Sequence, residues 1–505
     1  MRSRLPLLFP IAALGLAACP LAARAQVAPS AGAVRALPTP LTLADALAIA
    51  LHQQPTGYIA QTQITSANGQ KTQARSRYFP RLTPSYQYQD SRNTFYGIST
   101  GGGASSIVTT TPTGQTTQVV TSGSQSLDGV AVTRGGGATL TLAQTLFDSG
   151  TRESINAQAR RSLDAARFGR TDTRQQIILA VTQDFYGLLR ASDLVKVSQA
   201  QVARAQQTVS QTQGQIDAGV AARADILQSQ ADLANAQVSL LQNESAVRSS
   251  EAALKNVMAV ETDAPLQPAT LAAGDALPPA PDAGPERTLA DYVQQAYAAR
   301  PDLRQQLSVI EVSRQSVKQA HIAAGPAVSG SYVLTFQPVN DLGAKSTNSQ
   351  VLVTASYPLF DAGGARGAVR VAEAGRDADL DRLEQLHQSV RLDVEQSYYD
   401  RSLALQRTQL SQVAVQAAQA SFDAATARRA AGIGTVLDIT TAQVSLTQAQ
   451  NGYVSAVYDF YTADARLRRA TGQNDVNVRS QSLPQCGIIS HDAHFHRDRE
   501  FHGVS

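Results

Sequence analysis

Two aspartates occupy the positions in this sequence that best suit an electrostatic role. Asp225 follows Gly219 by six residues, and Asp438 follows Gly432 by the same interval. Asp is favoured in the first turn of a helix, where its carboxylate meets free backbone N–H groups. If copies of the chain met at these residues, the gathered carboxylates would also attract cations. The two roles are compatible, and the sequence leaves both open.

Histidines near the C-terminus are the other candidate ligands. His491, His494 and His496, followed by His502, could bind a metal ion. The composition changes abruptly after Gly472, and a terminal segment of this kind is more often a disordered tail. The sequence has no phosphate-binding glycine loop after a strand and no nucleophile elbow. The glycine triplets at 101–103 and 135–137 are typical of flexible loops. We therefore predict that the protein is not an enzyme, and we assign no cofactor, metal or catalytic residue.

The elements that hold the two aspartates are duplicated in the chain. Residues 146–254 match residues 359–467 at an offset of 213 positions without a gap. In the first copy, apolar residues recur every seven positions from Val181 to Ile216, which is typical of a long coiled-coil helix. We expect this helix to contain about 67 residues and to end at Gly219, which can adopt the left-handed conformation of a helix cap. A return helix of about 36 residues is expected to follow.

The start of each half is duplicated as well, at an offset of 246 positions. In the first half, a helix is predicted from Thr42 towards Tyr78, with Pro55 bending or interrupting it. Strands of about 10 residues with alternating polarity follow, and residues 99–137, rich in Gly, Ser and Thr, are predicted to be an exposed flexible loop. Each half is therefore predicted to contain a helix, two strands, a long helix, a tight turn and a return helix.

Length alone would suggest three domains for 505 residues, but the duplication indicates two similar halves. Six prolines between residues 259 and 286 mark a linker. The predicted segments are a signal peptide (1–25), a flexible lead-in (26–40), the first repeat (41–258), the linker (259–286), the second repeat (287–473) and a disordered tail (474–505).

The N-terminus predicts export from the cytoplasm. Arg2 and Arg4 precede an apolar stretch, and residues 23–25 (Ala-Arg-Ala) form a cleavage site. Cys19 ends a stretch that resembles a lipobox, which would make it a lipidated N-terminus, although Pro20 is unusual there. Whether Cys19 is lipidated stays open. If it is removed, Cys486 is the one remaining cysteine and no disulfide framework exists within the chain.

The strands indicate where such a chain resides. Alternating strands of about 10 residues suit a tilted strand that spans a membrane, and open sheet edges are not tolerated in lipid. Four strands are too few to close a barrel, because the smallest membrane barrels have about eight. We therefore expect a mixed α and β fold in which long α-helical coiled-coil hairpins form a periplasmic α-barrel. Three chains would share one 12-stranded transmembrane β-barrel.

These features resemble the TolC-type outer-membrane channel-tunnel family, also described as outer membrane efflux proteins. The resemblance covers about residues 41–473. It rests on Thr-Leu-Ala-Asp-Ala at 42–46, on the spacing of Gly219 and Gly432 from their aspartates, and on a Leu-Phe-Asp-x-Gly exit from the strands in each half. The exit residues are Phe147, Gly150, Phe360 and Gly363.

The resemblance implies a function and a set of partners. It implies a homotrimer in outer-membrane lipid that extends into the periplasm and exports drugs, small molecules or proteins. Its partners would be a periplasmic adaptor (a membrane fusion protein) and an inner-membrane efflux pump or ABC translocase. Gly219 and Gly432 would mark the periplasmic turns where the adaptor docks, and Asp225 and Asp438 would lie at the pore constriction. The net charge of +3 gives no reason to expect nucleic acid.

The sequence departs from the family pattern at the second turn. Thr441 stands where the pattern has a second acidic residue, Gly434 where it has Arg, and Arg429 where it has Tyr. The bonds that close the turn are therefore expected to differ. Three alternatives to an exit duct for drugs or proteins stay open at this point: a periplasmic coiled-coil adaptor, a passive porin and a metal-ion efflux duct. The exported substrate cannot be predicted from these residues.

Overall fold

The computed structural model describes residues 39–98, 105–110, 116–121, 127–219, 222–261, 266–271, 276–282, 287–337 and 346–473. Of those between 89 and 135 it describes only the backbone. The described part is mainly helical, as predicted. Its helices are α1 Leu43–Gln53, α2 Pro55–Ser76, α3 Thr151–Asp217, α4 Arg223–Met258, α5 Leu289–Ala299, α6 Pro301–Ile322, α7 Gly364–Ala430 and α8 Val436–Ala470. Its strands are β1 Arg81–Ile98, β2 Ser105–Thr110, β3 Thr116–Thr121, β4 Leu127–Phe147, β5 Ala327–Gln337 and β6 Ser346–Ser356. The predicted signal peptide and C-terminal tail lie outside the described residues.

Proline interrupts the first helix, as predicted. Gln54 has φ −64° and ψ 120°, so the helix stops and restarts at Pro55. A residue before proline is disfavoured in the α-helical region, and proline itself suits the first position of a helix. The same break separates α5 from α6 at Arg300 and Pro301.

The two long helices have the predicted length. Both α3 and α7 contain 67 residues. Gly219 and Gly432 follow their ends with φ of 74° and 76°, which is the left-handed conformation expected of a glycine that stops a helix. None of the described helices is both long enough and apolar enough to cross a membrane.

The strands form a four-stranded antiparallel sheet in the order β1-β4-β5-β6. The prediction of about 10 residues per strand holds for β5 and β6, with 11 residues each. It is wrong for β1 and β4, which contain 18 and 21 residues. These two strands continue to pair with each other beyond the end of β5, as a two-stranded antiparallel ribbon.

The prediction of a flexible loop at 99–137 is also wrong in part. Residues 105–110 and 116–121 form a second small sheet, β2 paired with β3, and β4 already begins at Leu127. The segment holds many threonines and valines, whose branched Cβ atoms favour strands, and these residues outweigh its glycines. Gly136 lies within β4, where an added Cβ would stand 3.1 Å from Cζ of Tyr86. Glycine at 136 therefore lets the Tyr86 ring lie against the β4 backbone, and a larger residue would displace that exposed side chain. Residues 101–103 lie outside the described residues.

The helices pack along α3 in two successive parts. Gln158, near the start of α3, donates to Gln319 of α6 at 2.7 Å. Further along, Ser198 of α3 accepts from Asn243 of α4 at 2.6 Å. One long helix therefore lies beside two shorter ones.

The main apolar core lies near the middle of α3, where α1, α3, α4 and α8 meet. Val181 and Leu188 of the seven-residue series are buried there, together with Leu47 of α1 and Tyr458 of α8. The linker contributes as well, since Leu266 is buried in the same cluster. The remaining members of the series, from Val195 to Ile216, are half-buried.

Candidate functional site: the amphipathic sheet and the hairpin turns

The four-stranded sheet has one apolar face and one polar face. Paired residues of neighbouring strands place their side chains on the same face, so each row of partners can be followed across the sheet. One row contains Leu82, Leu142, Tyr332 and Val351, and the row four residues further along β1 contains Tyr86, Ala138, Phe336 and Thr347. The rows of the opposite face are mainly polar and include Thr83, Thr141, Val333 and Gln350, then Ser85, Thr139, Thr335 and Asn348.

The apolar face is uncovered in the single chain. Tyr86 is 69% exposed and Val351 is 74% exposed, and Leu82 and Phe336 are exposed as well. Large apolar side chains concentrated on one face of a sheet indicate a surface that is covered in the functional protein. An apolar face opposite a polar one suits a sheet between lipid and a water-filled interior.

The predicted exits from the strands lie at the starts of the long helices. Gly150 and Gly363 are the residues directly before α3 and α7, with φ of 97° and 93°. After Phe360, Asp361 accepts the backbone N–H of Gly363 at 3.0 Å and of Ala365 at 2.6 Å. These bonds satisfy free N–H groups at the start of α7.

The two exits hold their phenylalanines differently. Phe147 is half exposed, whereas Phe360 is 89% exposed. After Phe147, Asp148 accepts the backbone N–H of Arg152 at 3.0 Å and also pairs with the Arg152 guanidinium. Both exits are therefore fixed by an aspartate that caps the long helix.

The first hairpin turn comprises residues 218–222 between α3 and α4. Asp225 follows it, and the start of α4 has no side-chain cap. Asp225 is half-buried in the first turn of α4, and the N-cap residue is Ala222, which has no side-chain acceptor. A capping box therefore cannot form here. Turn residues 220 and 221 lie outside the described residues.

The second hairpin turn, residues 431–435 between α7 and α8, holds Asp438 in a capping box. Thr435 accepts the Asp438 N–H at 3.2 Å, and the Asp438 carboxylate accepts the Thr435 N–H at 2.9 Å. These hydrogen bonds from Thr435 hold the pKa of Asp438 below its usual range. The carboxylate is exposed and charged, so capping leaves it available to ions in solution.

Arg429 connects the two hairpin turns and is the feature that sequence reasoning missed. Its guanidinium donates to the Gly434 carbonyl at 3.2 Å within the second turn. It also donates to the Gln215 side chain of α3, near the first turn. An added Cβ at Gly434 would lie 2.9 Å from the Arg429 backbone nitrogen, so glycine is required there. The departures from the family pattern at 429 and 434 were a usable signal, because both positions belong to this contact.

A second polar contact lies in the core. Tyr458 donates to the buried carboxylate of Asp193 at 2.6 Å, and Lys196 pairs with the same carboxylate at 2.9 Å. Burial, followed by the hydrogen bond to Asp193, raises the pKa of Tyr458. Because a buried charge is costly unless it is paired, this contact fixes the register of α8 against α3.

Among the residues that the structure describes, no group of three or more His, Cys, Asp or Glu side chains is placed to hold a metal ion. The histidines from His491 onwards and both cysteines lie outside those residues.

Known proteins match the chain over most of its length. Residues 49–260 and 292–473 match the model of the outer membrane efflux protein family. The chain is 26% identical to the alkaline protease secretion protein AprF of Pseudomonas aeruginosa, over 67% of this chain and 70% of that protein. It is 22% identical to the outer membrane protein TolC of Salmonella enteritidis, over 66% of this chain and 68% of that protein.

Solved structures share the fold. CusC is similar with a TM-score of 0.68 at 15% identity, over 85% of this chain and 92% of that chain. The outer-membrane channel OprN is similar with a TM-score of 0.67 at 19% identity, over 85% of this chain and 90% of that chain.

Proposed function

Since the chain belongs to the outer membrane efflux protein family, we propose that three copies close one twelve-stranded barrel in the outer membrane and continue it as an α-helical duct across the periplasm. The chain is an outer-membrane exit duct of an efflux or secretion system. The observation that carries the proposed trimer is the amphipathic sheet, whose edge strands β1 and β6 have no partner strand in the described chain.

Lipid cannot satisfy the free backbone groups of β1 and β6, so further copies must pair with them. Two copies would supply only about eight strands, and the interior of such a barrel is filled by side chains. Three copies leave a wider interior, which suits an open passage.

Labelling of single cysteines tests the orientation of the sheet. Gln350 and Val351 are neighbours on β6 with side chains on opposite faces. In a background where Cys486 is replaced by Ser, Gln350→Cys should react with a water-soluble maleimide in outer-membrane vesicles. Val351→Cys should react only with a lipid-soluble maleimide. Equal reaction of both with the water-soluble reagent would rule out the proposed barrel wall.

The domain division follows the two repeats. Residues 41–258 and 287–473 form the two efflux repeats, and residues 259–286 connect them across the core. Two matched segments of the family model support this division. Residues 1–25 act as the signal peptide, 26–40 as the lead-in and 474–505 as the tail.

The hairpin turns form the periplasmic end of the duct. Gly219 and Gly432 shape the turns onto which a periplasmic adaptor docks. An inner-membrane efflux pump or ABC translocase is the further partner of the assembly. Exposed apolar side chains at the turns, Leu227, Ile433 and Leu437, support a protein contact there. Asp225 and Asp438 line the constriction, and Arg429 holds the turns together within each copy.

Protein is one candidate cargo beside drugs and small molecules. The specific observation is the similarity to the alkaline protease secretion protein. Replacing that protein with this chain in its own host tests the candidate: restored protease secretion supports protein export. Restored drug resistance of a channel-deficient strain, without secretion, restricts the duct to small molecules.

A further inference from the structure

Basic residues concentrate where the strands meet the helices. From Thr56 to Gln89, a stretch that spans α2 and the start of β1, the chain contains Lys71, Arg75, Arg77 and Arg81 but no acidic residue. The first two turns of α7, directly after the exit from β6, contain Arg366 and Arg370 and no acidic residue. These two segments therefore carry six basic residues and no acidic one, although the net charge of the whole chain is only +3.

One groove at this junction has the lining of an anion site. It lies between the end of α6 and the start of α7 and has a volume of about 420 Å³. Arg366, Arg370 and His321 line it, together with apolar side chains that include Ala320 and Ala365. The volume lies within the range of small-molecule sites. The lining suits a phosphate group attached to a small, partly apolar body.

The two arginines form no direct ion pair within the described residues. Arg366 interacts electrostatically with Asp361, the carboxylate at the start of α7, which also accepts the backbone N–H groups of Gly363 and Ala365. Glu373 is the acidic residue of the lining, and it lies one turn beyond Arg370. With two arginines and one glutamate, the lining itself keeps a positive balance.

The groove lies at the depth of lipid headgroups if the sheet spans the membrane as proposed. The 11 residues of β6 suit the length of a membrane-spanning strand. Leu359 and Phe360 follow β6, and each is 89% exposed. These two apolar side chains would lie at the edge of the hydrocarbon region. Arg366 lies in the next helical turn, within the headgroup region about 5–7 Å thick that borders the hydrocarbon.

We propose that the α6–α7 groove binds the headgroup of an anionic phospholipid of the periplasm-facing leaflet, with Arg366 and Arg370 contacting the phosphate. This inference rests on the proposed function for the orientation of the sheet. Basic clusters next to a membrane bind anionic headgroups through such contacts. The bound lipid would fix the depth of the barrel in the membrane.

Lipid retention tests this site. The purified oligomer is incubated in detergent with equal amounts of phosphatidylglycerol and phosphatidylcholine, repurified, and its retained lipids are counted by mass spectrometry. The wild-type oligomer should retain phosphatidylglycerol preferentially, and Arg366→Gln/Arg370→Gln should reduce this preference on the order of tenfold. The matched control Arg174→Gln/Arg248→Gln removes the same charge from exposed positions away from the groove and should retain the preference.

The other outcomes separate the explanations. Arg366→Lys/Arg370→Lys keeps the charge and should retain most of the preference, which guards against loss by misfolding. No preference in the wild-type protein, or equal loss in the control, would overturn the proposal. Displacement of the lipid by inorganic phosphate at equal concentration would assign the groove to free phosphate instead. Ion conductance in planar bilayers should persist in the Gln variants, whereas absence of conductance in the wild-type protein would contradict the proposed duct itself.

Discussion

Breaking the contact between the two hairpin turns should open the duct. Arg429 donates to the Gln215 side chain of α3, so Gln215→Ala removes this contact while the Arg429 bond to Gly434 stays intact. A hydrogen bond to a charged group contributes roughly 1.5–3 kcal/mol, and the half-buried guanidinium places this one near the lower value. About 1.5 kcal/mol corresponds to about a tenfold change in the ratio of open to closed turns for each chain. If three copies open together, the combined effect is on the order of a thousandfold.

Single-channel recording in planar bilayers measures this effect. Gln215→Ala and Arg429→Ala should both raise the conductance and the fraction of time spent open. One matched control lies beside them. Within the described part of the chain, the Gln213 side chain bonds to Asp217 of its own helix and not to α7. Gln213→Ala should therefore gate like the wild-type channel. If Gln215→Ala behaves like Gln213→Ala, the contact does not hold the duct closed.

Three further predictions test other parts of the account. Asp438→Ala should remove most of the block by multivalent cations added on the periplasmic side, while Asp225→Ala should affect opening more than selectivity; unchanged block would show that the aspartates act only at their helices. Because hydrogen bonds from Thr435 lower the pKa of Asp438, its carboxylate should stay charged, and the block should persist, at a pH where an ordinary aspartate is already partly protonated. An epitope inserted at Gly114, between β2 and β3 in the sequence, should be labelled by antibody on intact cells. Failure of labelling would show that this segment does not face the cell exterior. Tyr458→Phe should lower the free energy of unfolding by roughly 1–3 kcal/mol, because the Asp193 carboxylate loses a buried hydrogen bond. An unchanged melting temperature would show that Lys196 alone satisfies this carboxylate.

Periodicity and helix stop signals made the helical part of this fold predictable. The 67 residues of α3 follow from apolar spacing and from the glycine that ends the helix. The break before Pro55 follows from proline chemistry alone. Such signals act within a few residues of one another, so the sequence contains them in full.

The length of β1 and β4 was not predictable in the same way. Strand pairing joins residues that are distant in sequence, and the Gly, Ser and Thr residues around 99–137 are compatible with either a loop or a strand. Gly136 illustrates this limit, because its role depends on the Tyr86 ring of another strand.

The site was predictable to a similar degree. The turns at Gly219 and Gly432 and the cap at Asp438 depend on local chemistry and could be located from sequence. The contact between Arg429 and Gln215 joins residues 214 positions apart, and no local pattern indicates it. The departure from the family pattern at Arg429 marked the position without naming its partner.

The number of chains in the outer-membrane particle tests the central claim most directly. Native mass spectrometry of the protein extracted from outer membranes in mild detergent should give three chains per particle. That result would match a sheet whose four strands are one third of a closed barrel. A stable monomer from the full-length mature protein, with its edge strands β1 and β6 unpaired, would contradict the account.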